Sequence, residues 1–233
     1  YKRARIVYQS CQSTAIMVLK VRMKSMLKNI VFDMGNVLIT YDPAYFIRRA
    51  GVARPQDQAL LLSAVFNSAD WPLLDLGTLT EAELLPRACK RLPERLHSAA
   101  RELIFNWNRP LMPIAGMAEL IRDCKHAGLG VYLLSNASRR QREYWHSVPG
   151  SEYFDGTVIS ALQGCVKPAP EIYEYLLKHF GLSADECLFV DDVAENVRGA
   201  ERIGMRGFQF CGDAAALRKT IQAMLADGRD ALC

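Results

Sequence analysis

The chain has 233 residues, 50% hydrophobic, 23% charged and 9% aromatic, the composition of an ordinary soluble globular protein. That length suits one large α/β domain, or a core domain carrying a smaller inserted one, and it buries a large apolar core without metal or disulfide support. The net charge of +4 is unevenly spread: residues 1–28 hold seven bases and no acid, which leaves −3 for the rest.

Basic stretches of this kind touch nucleic acid or anionic lipid in some proteins. Here residues 1–26 read as a leader outside the fold, with Met26 placed where a natural start could fall, just before the first strand. No apolar run approaches the roughly 18 residues of a membrane-spanning helix. "STAIMVLK" is too short and badly flanked for a signal peptide. Neither a nucleic-acid nor a membrane partner is expected. The seven cysteines, at 11, 89, 124, 165, 187, 211 and 233, are odd in number and form no CxxC pair. They point to a reduced compartment, so a cytoplasmic protein is expected.

In chain order, short apolar runs alternate with helical patterns. The runs are "NIVFD" (29–33), "LGVYLLS" (129–135), "GTVIS" (156–160), "CLFVD" (187–191) and "RGFQF" (206–210). Near-continuous apolar runs are what strands covered on both faces require. Helical patterns follow in "IAGMAELIRDCKHAG", "SRRQREYWHSV", "APEIYEYLLKHFG" and "AENVRGAERIG". Strand–helix alternation predicts an α/β fold with a doubly wound parallel sheet. The first unit breaks the rhythm, because about 95 residues separate the first two strands, far more than one crossover needs. Residues 43–108 read as four helices, one opened by Thr80 and Glu83 at capping-box spacing. They predict a helical cap inserted into a core of residues 27–42 and 109–233. Ligands in such sheets sit at the carboxyl ends of the strands, so an insertion leaving from there lies over the site as a lid.

Polar residues stand where the apolar runs end: Asp33, Ser135 with Asn136, Lys167 beyond Gly164, and Asp191 with Asp192. In a parallel sheet these ends share one edge. Clustered carboxylates suit a hard cation such as Mg²⁺, and one carboxylate can attack phosphorus to give an aspartyl-phosphate. A lysine and a hydroxyl would hold the equatorial phosphate oxygens. Each piece alone has a plainer reading as a cap or turn: Asp33 at a strand end, Ser135-Asn136 before a helix, Lys167-Pro168 at the surface, Asp191-Asp192 capping "VAENV". Their order and their common placement favour the chemistry.

"FDMGNVL", "LLSNAS", "VKPAPEIY" and "FVDDVAENVRGAERIGM" together resemble the four motifs of the haloacid dehalogenase superfamily, in the right order and over about residues 27 to 226. "FDMGNV" is most similar to the branch of α-D-glucose-1-phosphate phosphatases, as is "DWPLLDLGTLTEAE" more loosely. The resemblance implies a Rossmann-like core, a cap between motifs one and two, and a Mg²⁺-dependent phosphatase for a small phosphorylated metabolite such as a sugar phosphate. It implies Asp33 as nucleophile and metal ligand, and a metal-binding carbonyl on Gly35. Ser135 would bind the phosphoryl group with Asn136 beside it, and Lys167 would pair with nucleophile and phosphate. Asp191 and Asp192 would complete the metal site in an order left open.

Most phosphatases of the superfamily carry an aspartate where this chain has Gly35, and that aspartate protonates the leaving oxygen. General acid–base catalysis is worth roughly 10²–10⁴-fold, so the loss matters. Asp42 is a candidate substitute, although "DPAYF" also reads as a helix N-cap followed by Pro at the first helical position. In the cap, Trp71, Asp75 and Trp107 are candidates for specificity; Trp71 would stack on a sugar face, and core packing is its plainer role. Two rival functions remain: a metal-independent 2-haloacid dehalogenase, opposed by the double aspartate, and a phosphate-binding pseudoenzyme, supported by Gly35 alone. A monomer or weak homodimer is expected.

Overall fold

The structure is a computed structural model and describes residues 26–230. The leader expectation falls outside these residues, apart from Met26. Five strands form one parallel sheet: β1 (Asn29–Phe32), β2 (Gly130–Ser135), β3 (Gly156–Ile159), β4 (Cys187–Asp191) and β5 (Arg206–Gln209), in the order β3-β2-β1-β4-β5. β1 lies at the centre, with Ile30 opposite Val131 on one side and Leu188 on the other.

The apolar runs become strands because both faces of the sheet are covered. Ile30, Phe32, Val131, Leu133, Leu188 and Val190 point into one cluster. α6 (Met117–His126) and α11 (Ala214–Asp230) cover that side with Met117, Leu120, Ile121, Leu217 and Ile221. Val31, Leu134 and Phe189 point the other way, against Ile172, Tyr173 and Leu176 of α9 (Pro170–Phe180) and Ala200 of α10 (Ala194–Arg202). The period-2 alternation of strand side chains divides each run between the two layers.

Between β1 and β2 lies the helical insertion: α1 (Pro43–Arg49), α2 (Pro55–Leu61), α3 (Trp71–Asp75), α4 (Glu81–Lys90) and α5 (His97–Asn106). It has its own buried cluster, including Phe46, Leu61, Val65, Leu84 and Leu103. α4 starts where the sequence places it: the Glu83 amide donates to Thr80 Oγ1 at 3.3 Å and the Thr80 amide to Glu83 Oε2 at 2.9 Å. Residues Leu62–Phe66 form a π-helical turn directly after α2. The sequence reading contains no α3.

One expected helix is much shorter. "SRRQREYWHSV" gives only α7 (Gln141–Tyr144) and a 3₁₀ turn, Trp145–Ser147. Pro149 forces Val148 into extended backbone, with ψ at 121°, as proline does to the residue before it. The Trp145 ring packs edge-on against Phe154 at 5.0 Å. β3 is followed by α8 (Ser160–Gln163), a single turn that meets the insertion. Among the described residues, no helix is long and apolar enough to cross a membrane.

Candidate active site

The centre of the site is Lys167, whose side chain is almost wholly buried. Its Nζ donates to Asp33 Oδ1 at 2.7 Å, Asp191 Oδ2 at 2.7 Å and the Leu134 carbonyl at 2.9 Å. Three donors meet three acceptors, the full capacity of an ammonium. Each partner comes from a different central strand: Asp33 directly follows β1, Asp191 ends β4 and Leu134 lies in β2. The loop bearing Lys167 is fixed by Asn136. Its Nδ2 donates to the Lys167 carbonyl at 2.9 Å, and its Oδ1 accepts from the Lys167 amide at 2.8 Å. Asn136 lines the cavity, but its hydrogen bonds position the lysine.

The two adjacent aspartates, which the sequence left unranked, differ in their surroundings. Asp191 is fully buried and accepts from Lys167, from the Val193 amide at 2.9 Å, and from Asn196 Nδ2 at 3.1 Å on each oxygen. Three donor groups therefore already surround it. Asp192 lines the cavity, and its Oδ2 accepts from Asn36 Nδ2 at 3.1 Å. Asn36 sits at φ 52°, a left-handed conformation that asparagine tolerates better than most residues, and its Oδ1 accepts from the Tyr41 amide. Asn36 and Asn196 were missed in the sequence; an Asn after Gly in a turn was the available signal for the first.

One carboxylate oxygen from each of Asp33, Asp191 and Asp192 lies within 4.8 Å of the others. Three carboxylates against one ammonium leave excess negative charge in a dry place, which a divalent cation with oxygen ligands offsets. Gly35 lines the same cavity, and among the described residues its carbonyl accepts no backbone hydrogen bond. The residues present therefore fit a hard cation. Burial pushes Asp33 up to about 7, with Lys167 opposing and Asp191 reinforcing the rise. Burial acts to lower the Lys167 pKa, yet Asp33 and Asp191 hold it above the ordinary lysine value.

Above the carboxylates is a cavity of about 360 Å³. Its floor includes Asp33, Gly35, Ser135, Lys167 and Asp192, and its roof comes largely from the insertion. Ser135 is buried at the end of β2 and lines the cavity. Trp71 and Trp107 both line the roof. The Trp71 ring lies 4.7 Å from Phe66, while Trp107 packs on Tyr41 at 5.2 Å and Phe46 at 5.3 Å within the aromatic cluster of the insertion.

Asp42 is not brought to the cavity. It is the N-cap of α1: its Oδ1 accepts from the Tyr45 amide at 3.1 Å, with Pro43 following. The local Asp-Pro signal determines its place. Asp42→Ala is expected to reduce stability by about 1 kcal/mol and to leave the pH–rate profile unchanged, as chemical denaturation and steady-state kinetics will show. A shifted profile would return Asp42 to the chemistry.

An acidic cluster braced by Lys167 thus lies at the carboxyl edge of a parallel sheet, beneath a helical insertion. The family model for haloacid dehalogenase-like hydrolases matches residues 27–204. The chain belongs to the haloacid dehalogenase-like hydrolase family. It is 31% identical over 196 residues to a sesquiterpene phosphatase of Aspergillus oryzae, covering 81% of this chain and 92% of that protein. It is 28% identical over 197 residues to a D-ribitol-5-phosphate phosphatase of Bacteroides thetaiotaomicron, covering 79% and 92%. A family enzyme of Bacteroides thetaiotaomicron, crystallised with magnesium and inorganic phosphate, shares the fold at a TM-score of 0.61 and 22% identity, covering 82% of this chain and 98% of that one.

Proposed function

We propose that the protein is a Mg²⁺-dependent phosphatase that hydrolyses a small phosphorylated metabolite through an aspartyl-phosphate on Asp33. The observation that carries this reading is the cluster of Asp33, Asp191 and Asp192 braced by Lys167 beneath an enclosed cavity. Asp33, Asp192 and the Gly35 carbonyl would hold the metal, with Asp191, already bonded by Lys167, the Val193 amide and Asn196, supporting the cluster from behind. The bound cation supplies positive charge to the phosphoryl oxygens as charge shifts on them. Asp33 attacks phosphorus in line with the departing oxygen. Lys167 holds the nucleophile in place, and the Ser135 hydroxyl donates to a phosphoryl oxygen. The helices of residues 43–108 act as the cap that excludes water.

The cluster also weighs against the metal-independent dehalogenase and the pseudoenzyme, because neither needs this set of carboxylates. For the leaving group, a sugar phosphate accords with motif one, with the ribitol-phosphate relative, and with the polar wall that Asp75 and Glu81 give the cavity. A second reading is an isoprenoid-type alcohol phosphate. It is favoured by the apolar roof of Phe66, Trp71, Leu74, Ile104 and Trp107, and by the sesquiterpene phosphatase relative. The test is phosphate release from a panel holding p-nitrophenyl phosphate, sugar phosphates and prenyl monophosphates, with Mg²⁺ and with EDTA. Turnover lost in EDTA and restored by Mg²⁺ is expected; metal-independent turnover, or halide release from 2-haloacids, contradicts the proposal.

A further inference from the structure

Gly35 leaves the site without a carboxylate two positions beyond the nucleophile, so a proton donor for the leaving oxygen must come from elsewhere in the cavity. Its walls hold four carboxylates: Asp33, Asp75, Glu81 and Asp192. Asp33 is bound to Lys167, and Asp192 accepts from Asn36. Glu81 Oε1 accepts from the Ser138 hydroxyl at 2.5 Å. The carboxyl of Asp75 alone among these makes no hydrogen bond or ion pair with any described residue.

Asp75 is nonetheless held firmly. It is the last residue of α3, and its backbone carbonyl accepts from Ser160 Oγ at 2.5 Å. Ser160 is fully buried, just beyond β3. Two residues later, Gly77 adopts φ 76° and lies so close to α8 that an added Cβ would come within 2.1 Å of the Ala161 carbonyl oxygen. The carboxyl therefore belongs to the insertion by sequence but is clamped to the core at the seam. Fixing a proton donor to the element that bears the nucleophile keeps their geometry from varying with the rest of the insertion.

We propose that Asp75 is the general acid and base that Gly35 cannot be, acting on the leaving oxygen from the cap side. The proposal rests on the phosphatase reading above. In the first step Asp33 Oδ bonds to phosphorus and the bond from phosphorus to the ester oxygen breaks. That oxygen takes the proton of Asp75 and departs as an alcohol. In the second step the Asp75 carboxylate takes one proton from water as the water oxygen attacks phosphorus. The bond between phosphorus and Asp33 breaks, hydrogen phosphate leaves, and Asp75 is protonated again for the next cycle.

The surroundings suit a donor. Burial and the Asp33 charge raise the Asp75 pKa to about 7, with Lys167 opposing and Glu81 adding to the rise. Tyr41 and Tyr144, the other titratable groups facing it, are kept neutral mainly by burial, which drives both phenols far above their ordinary range. An acid must be protonated to donate, so kcat/KM should fall as pH rises through neutrality.

The test compares aryl phosphates of graded leaving ability in wild type and Asp75→Asn, with folding checked by circular dichroism. Loss of the acid should lower phenyl phosphate turnover by roughly 10²–10⁴-fold. p-Nitrophenyl phosphate, whose phenolate needs no proton, should give a burst of about one equivalent followed by slow turnover, because the base is missing too. The alkaline limb of kcat/KM should vanish. Gly35→Asp in the Asp75→Asn background should recover phenyl phosphate turnover, since a Cβ at position 35 meets only Tyr41 Cβ, at an ordinary 3.7 Å. Equal losses on both substrates with no burst and an unchanged pH profile overturn the proposal, while the metal-dependent phosphatase reading stands. A wild-type protein without phosphatase activity overturns both.

Discussion

Asp33→Asn is expected to lose phosphatase turnover by on the order of 10⁴-fold or more, the scale seen when a catalytic nucleophile is removed from a working unit. The amide is nearly isosteric with the carboxylate but does not attack phosphorus. Asp33 follows the central strand, its amide donates to the Val190 carbonyl at 2.9 Å, and its side chain is turned to Lys167 and the cavity. The backbone that aims it does not depend on the side chain. The melting temperature is therefore expected to hold or rise, since burial already raises the pKa of this carboxyl and Lys167 keeps Asp191 and the Leu134 carbonyl as partners. Lost turnover with intact stability marks a chemical role. Unfolding of Asp33→Asn would instead mark Asp33 as a structural counter-ion.

Lys167→Met is expected to damage both stability and activity. It leaves Asp33 and Asp191 as neighbouring carboxylates in a dry cluster without their shared cation, a change that costs about 3–5 kcal/mol when a buried pair is broken. The sign of the pH dependence follows from linkage. Burial already raises Asp33 to about 7 with the lysine present, and its removal drives the carboxyl higher still. A carboxyl with a folded pKa above its unfolded value of 3.8 contributes stability that is fully present below about pH 4 and is lost as pH rises through the folded pKa. The deficit of Lys167→Met against wild type should thus widen from pH 5 to pH 8, and Mg²⁺ should return part of it. Thermal melts across that range, with and without Mg²⁺, check this. A deficit independent of pH would mean that the lysine acts through packing alone.

The candidate site was legible in the sequence where it depended on strand ends. Asp33, Ser135 and Asp191 terminate or directly follow apolar runs, and a parallel sheet necessarily brings such ends to one edge. Lys167 could be read because its loop begins at Gly164, one short helical turn past β3. What the sequence did not disclose depends on which side chains meet after packing. Asn36 and Asn196 act through hydrogen bonds to the double aspartate from 156 and 5 residues away. Neither distance has a periodic signature. The different surroundings of Asp191 and Asp192 depend on which donors reach each of them after packing.

Within the insertion, capping chemistry was readable: Thr80 with Glu83, and Asp42 with Pro43, both behave as their local patterns predict. The roof was not. Tyr41 precedes the insertion and Tyr144 lies more than a hundred residues later, yet both face Asp75. α3 was missed because Pro72 and Gly77 frame only one turn of helix, too short for apolar periodicity to show. That turn carries Trp71, Leu74 and Asp75, so the least legible helix supplies three lining residues of the cavity.

The central claim is a covalent phosphoryl group on Asp33. Enzyme quenched in acid during turnover of p-nitrophenyl phosphate with Mg²⁺, then digested and mapped by mass spectrometry, tests it directly. A phosphoryl adduct on the peptide containing Asp33, labile to base and missing from Asp33→Asn, is the predicted result. Full turnover of phosphate in Asp33→Asn, or an adduct on any other residue, would contradict it.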